Sequence, residues 1–124
     1  MFYADLTSGI GSEQSGFRPI LIISNNKGNA RSNTVIIAII TSQMINKAKI
    51  PTHYPIQAQQ GLSQDLLVLL EQIRTVDKRR LKKYIGTLDS ETMGKIDMAL
   101  AVSVGTVNIT YWLEERRKNA AVNK

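Results

Sequence analysis

Arg18 stands between a polar, glycine-punctuated stretch, Gly11-Ser-Glu-Gln-Ser-Gly-Phe17, and an apolar run, Ile20-Leu-Ile-Ile23, with Pro19 directly behind it. Proline fixes its own φ and pushes the residue before it into an extended conformation. Arg18 is therefore expected at the mouth of a strand, beneath a loop that carries Glu13 and Gln14. A guanidinium held in one place matches phosphate oxygens with two parallel hydrogen bonds. Thr41 closes a second apolar run, Thr34-Val-Ile-Ile-Ala-Ile-Ile-Thr41, where its hydroxyl could face the same cleft. A plainer reading makes Arg18 a structural partner for Glu13 and Thr41 a strand-ending side chain.

Elimination narrows the chemistry. The 124 residues include no cysteine and one histidine, His53, so thiol nucleophiles, thiolate metal sites and paired histidines are excluded. The ten acidic residues are scattered, which gives no support for a carboxylate metal site. No nucleophile-elbow pattern surrounds a serine. RNA cleavage asks less, because the substrate brings its own nucleophile, the 2′-hydroxyl. The protein need only position the strand, move protons and stabilise charge on phosphorus. In that scheme Arg18 stabilises charge first and donates a proton second, and Glu13 is the nearby carboxylate that can accept the 2′-hydroxyl proton. A net charge of +6 suits a polyanionic partner.

The elements that must position these groups are mostly strands. Length and a 43% hydrophobic content describe one domain with a core of its own. Met1–Leu6 and Arg18–Asn25 read as strands, and Asn26–Asn33, dense in residues that favour turns, reads as a connection. Thr34–Thr41 is apolar and β-branched throughout, so it is expected to be central and covered on both faces. Two prolines place Ile50–Ile56 at an edge or in a loop. Leu66–Ile73 fits strand or helix by periodicity, and its length and β-rich surroundings favour strand. Arg74–Lys83 carries six basic residues and one acid; a helical turn is expected over Asp77–Leu81, then a strand through Leu88. Asp89 caps a helix with Met93, Ile96, Leu100 and Val104 on its apolar stripe and Gly105 at its end. The expected fold is mainly β with a C-terminal helix: a small, SH3-like antiparallel β-barrel over residues 1–105, followed by a tail, 106–124. No apolar run approaches the ~20 residues that span a bilayer, and no secretory pattern opens the chain, so a cytoplasmic setting is expected.

The segment Gly11-Ser-Glu-Gln-Ser-Gly-Phe-Arg-Pro19 with Ile20-Leu-Ile-Ile resembles the loop-and-strand signature of the MazF/PemK/Kid toxins, endoribonucleases of toxin–antitoxin pairs. Ile39-Ile-Thr-Ser-Gln43, Lys47-Ala-Lys-Ile-Pro-Thr-His53, Leu69-Leu-Glu-Gln-Ile-Arg-Thr-Val-Asp-Lys-Arg-Arg-Leu81 and Gly86-Thr-Leu-Asp-Ser-Glu-Thr-Met93 are similar to the Gram-positive MazF branch, in the same order. The resemblance implies a homodimer that cuts single-stranded mRNA without metal or cofactor, leaving a 2′,3′-cyclic phosphate and a 5′-hydroxyl. It also implies an acidic MazE-type antitoxin that covers the cleft.

Carried onto this chain, the family's catalytic pair falls on Arg18 and Thr41, and its loop glutamate on Glu13. Ile50, Pro51, Thr52 and His53 correspond to part of the base-reading surface, and Gln72 lies on a strand that contributes to it. Gln14 and Phe17, beside Arg18 in the signature segment, join the RNA-binding set. Lys47, Lys49 and Arg74 are expected to follow the RNA backbone, whereas Arg79, Arg80, Lys82 and Lys83 read equally well as a solvated face. Four features depart from the family pattern: a chain that begins inside the first strand, phenylalanine at position 17 where some members carry histidine, a tail beyond Gly105 that is longer than usual, and an extra residue, Met44, after Thr41. Two rival readings stand beside the nuclease, namely a CcdB-like gyrase poison and a non-catalytic RNA-binding barrel. The pairing of Arg18 with Thr41 argues against the gyrase poison.

Overall fold

The structure, a computed structural model, describes residues 1–6, 16–42, 51–58, 64–106, 110, 113, 114 and 117. Six strands, β1 (Phe2–Leu6), β2 (Gly16–Ile22), β3 (Thr34–Thr41), β4 (His53–Ile56), β5 (Leu66–Asp77) and β6 (Leu81–Tyr84), accompany two helices, α1 (Asn26–Arg31) and α2 (Ser90–Ser103). The strands form one sheet in the order β4-β5-β3-β2-β1-β6, antiparallel at every pairing.

Sheet order and chain order together force the sheet to roll. β5 and β6 are joined by a single 3₁₀ turn, Lys78–Arg80, yet β3, β2 and β1 lie between them in the sheet. Four strand spacings span about 19 Å on a flat sheet. The four steps from Asp77 to Leu81 reach at most about 14 Å. Only a curled sheet meets both conditions, and Arg80 Nη1, donating to the Asp5 carbonyl at 3.1 Å, ties the turn to β1. The mainly β architecture with its C-terminal helix is as expected, but the barrel is approximate. Among the described residues, β4 and β6 remain edges and the ladder does not close.

Each face of the sheet carries its own core. On one face Leu21, Ala38, Ile40, Val68 and Leu70 pack against Ile96 and Ala99 of α2. On the other, Ala4, Leu6, Ile20, Ile37, Ile39, Leu67 and Leu69 are gathered by the curl. β3 is apolar on both faces because it serves both clusters, and it is buried from Ile37 to Thr41; only Thr34 and Ile36 at its start are exposed. β1 pairs with β2 along its whole length and with β6 from Phe2 to Ala4, so this sheet region is intact.

Several boundaries differ from the sequence reading. Asn26–Arg31 is a short α-helix, not a turn: Asn25 Oδ1 accepts from Gly28 N at 2.7 Å and supplies the N-cap. Ser24 Oγ donates to Asn29 Oδ1 and accepts from Ile36 N at 3.1 Å, and Lys78 Nζ donates to the Asn29 carbonyl. Side chains thus hold α1 against β3 and the turn that follows β5. β5 continues to Asp77, and the helical turn shrinks to Lys78–Arg80, capped by Asp77. β6 stops at Tyr84, where Ile85 N turns to the Met1 carbonyl. In α2, Asp89 Oδ1 caps Thr92 N at 2.7 Å as expected. Val104 is not part of the buried stripe: it is 54% exposed, and Ala99 is buried with Ile96. Gly105, at φ +80°, closes α2, with its N–H to Val102 O and Thr106 N–H to Ala101 O.

Candidate functional site

Arg18 lies on β2 opposite Ala4 of β1. Gly16 opens this strand at φ +85°, a conformation that favours glycine. Pro19 costs the sheet nothing on the β3 side, because the β2–β3 ladder begins only at Ile20, which pairs with Ile39. Continuing that antiparallel register by two residues along each strand brings position 18 opposite position 41. Thr41 in turn pairs with Leu67 of β5, and Leu67 with Pro55 of β4. Arg18 and Thr41 therefore lie at matching positions just beyond the last β2–β3 pair, on the face of Ile20 and Ile39. Arg18 is half-buried. Thr41, at 5% exposure, is the one buried polar or charged residue among those described.

His53 occupies the neighbouring row on the same face, paired through Leu69 to Ile39 and Ile20. Its row is about 7 Å from Arg18 and Thr41, and its strand about 10 Å from β3. The imidazole Nε2 is 2.6 Å from Glu71 Oε1, with the His53 side chain only 7% exposed. Glu71 belongs to an irregular stretch of β5. β3 pairs Ala38 with Ile73 and then Ile39 with Leu69, so Leu70, Glu71 and Gln72 bulge out of the ladder. Gln72 Oε1 is buried there with no hydrogen-bond partner among the described residues, an acceptor that a donor on a bound molecule would satisfy. Pro51 and Thr52 precede β4, and the Thr52 carbonyl accepts from Leu70 N at 2.8 Å.

Two expected members of the site lie elsewhere. Phe17 points to the other face of β2, since neighbours on a strand alternate. It is 62% exposed and stacks on Tyr3 with centroids 5.4 Å apart and planes 4° apart, which separates it from Arg18. Arg74 shares the Arg18 face but pairs with Ile37, about 13 Å along β3 from Thr41. Glu13, Gln14, Lys47, Lys49, Ile50 and Met44 fall outside the described residues. Among the described residues, no group of three or more acidic or histidine side chains could hold a metal ion, and no helix is long and apolar enough to cross a membrane. Sequence reasoning does not reach Glu71, because its meeting with His53 depends on the bulge. The apolar run of β5 ends at Leu70, and that break is the signal that marks it.

Known proteins point the same way. A family model for PemK-like, MazF-like toxins of type II toxin–antitoxin systems matches residues 1–104. Endoribonuclease EndoA of Bacillus subtilis is 50% identical over 109 residues, covering 87% of this chain and 93% of that protein. A mycobacterial endoribonuclease solved in complex with its cognate antitoxin superposes with a TM-score of 0.70 at 29% identity, over 86% of this chain and 92% of that one. MazF from Deinococcus radiodurans, at 23% identity and a TM-score of 0.71 over 84% of this chain and 91% of that one, shares the fold. This chain belongs to the PemK-like, MazF-like toxin family of type II toxin–antitoxin systems.

Proposed function

We propose that this chain is an endoribonuclease toxin that cuts single-stranded RNA at a short recurring motif, with Arg18 and Thr41 at the scissile phosphate. What supports the reading is the placement of Arg18 on β2 and of the buried Thr41 at the end of β3, each two residues beyond the Ile20–Ile39 pair and on its face. The 50% identity to an endoribonuclease supports the reaction class. In the proposed mechanism the 2′-hydroxyl loses its proton, with Glu13 as acceptor, and attacks the adjacent phosphorus. The 5′-oxygen departs with a proton given by Arg18, which regains one from solvent, leaving a 2′,3′-cyclic phosphate and a 5′-hydroxyl. Arg18 faces the non-bridging oxygens, where charge builds in the transition state, and the Thr41 hydroxyl donates to the same group. No step needs a metal ion.

His53, Thr52 and Gln72 form the adjoining surface for bases, and the buried Gln72 oxygen suits an exocyclic amine. The homodimer and the acidic antitoxin that blocks the cleft are part of the same proposal; the complex of the mycobacterial relative supports the antitoxin, and the net charge of +6 suits an acidic partner. The test is to incubate purified protein with a long single-stranded RNA in EDTA and to map the ends. Cuts at one recurring motif, reduced roughly 100-fold or more in Arg18→Ala, support the proposal. Intact RNA together with slowed DNA gyrase would overturn it in favour of a gyrase poison.

A further inference from the structure

The C-terminal end of α2 reaches the surface beside the site through one hydroxyl. Ser103 Oγ donates to the Leu70 carbonyl at 2.7 Å, across 33 residues of chain. Leu70 is fully buried and opens the bulge of β5, and its backbone groups face the β4 side of the strand, away from β3. Its N–H is bonded by the Thr52 carbonyl and its C=O by Ser103. The bulge is thus pinned from two sides: by the segment leading into β4 and by the last turn of α2. The next two residues are Glu71, 2.6 Å from His53, and Gln72, whose amide oxygen lacks a partner among the described residues.

We propose that Ser103 is a positioning residue for substrate: by holding the Leu70 carbonyl it fixes the bulge that presents Glu71, His53 and Gln72 to RNA. This rests on the reading of that face as the RNA surface. Removing the hydroxyl leaves a buried carbonyl without its partner, and the bulge can relieve that only by shifting. Binding then weakens while Arg18 and Thr41, carried by β2 and β3 and not by the bulged residues of β5, keep their geometry.

The test compares wild type, Ser103→Ala and Ser103→Thr on a short single-stranded RNA carrying the cleaved motif. It also records the imidazole NMR signals of His53, unambiguous because the chain has one histidine. For Ser103→Ala the expected result is a KM raised roughly three- to tenfold, a kcat within about twofold of wild type, and displaced His53 signals. Ser103→Thr, which keeps the hydroxyl, restores all three. Unchanged KM and unchanged His53 signals in Ser103→Ala overturn the proposal. So does a loss of kcat that merely tracks the unfolded fraction and that Ser103→Thr fails to restore. If the wild type cuts no RNA, the nuclease reading fails by itself, and the His53 signals still decide whether Ser103 holds the bulge.

Discussion

Thr41 is buried at the end of a strand that otherwise carries apolar side chains on both faces. Valine keeps the β-branched shape that the buried end of β3 holds, so Thr41→Val is expected to remain folded. RNA cleavage is expected to fall by about 100-fold or more, the usual loss when one donor to the developing charge is removed. Unfolding curves and single-turnover cleavage check both halves, and a fully active Thr41→Val would remove the residue from the mechanism. Arg18→Lys should lose most activity too, because a point charge cannot make the two parallel bonds of a guanidinium. This pair is legible in the sequence, since Pro19 announces an extended Arg18 and the β-branched run announces where Thr41 must stop. The side that Phe17 takes is not: its neighbour in the chain is on the opposite face of the strand, and only the register with Tyr3 and Asp5 reveals it.

α2 is an element whose start and stop are set by single residues, and each gives a stability test. The Asp89 carboxyl accepts from Thr92 N–H, backbone first, and this holds its pKa below the ordinary 3.8. A carboxyl with a depressed folded pKa stabilises the fold above its unfolded pKa, and the contribution disappears as pH falls through the folded value. Asp89→Ala should therefore lower the melting temperature at neutral pH, and the difference from wild type should shrink as pH falls below about 4. Thermal melts followed by circular dichroism at several pH values check this. At the other end Gly105 sits at φ +80° with open space where a Cβ would stand, so Gly105→Ala meets backbone strain alone. A loss of about 1 kcal/mol is expected from equilibrium unfolding. The helix is legible because its caps and apolar spacing agree. α1 is not, since asparagine, glycine and serine normally mark turns, and here Asn25 and Asn29 use the same hydrogen-bonding capacity to cap and anchor a helix. The bulge in β5 is equally hidden, because it exists only in the register with β3.

The whole molecule joins a rolled sheet to a net positive charge. The short turn from β5 to β6 compels the roll, which explains why an approximate barrel could be expected from strand lengths while its open edges could not. With sixteen basic residues against ten acidic ones, RNA binding should depend steeply on salt. A path contacting about four phosphates predicts roughly 50-fold weaker binding between 50 and 200 mM salt, measurable by fluorescence anisotropy with a labelled single strand. Affinity insensitive to salt would place recognition in the bases alone. In the proposed reaction RNA supplies the nucleophile, Glu13 takes its proton, and Arg18 with Thr41 stabilises the charge that develops at phosphorus. Mass spectrometry of the fragment ends made in EDTA tests it most directly. A 2′,3′-cyclic phosphate paired with a 5′-hydroxyl, absent from Arg18→Ala digests, is the predicted result; a 3′-hydroxyl paired with a 5′-phosphate would contradict it.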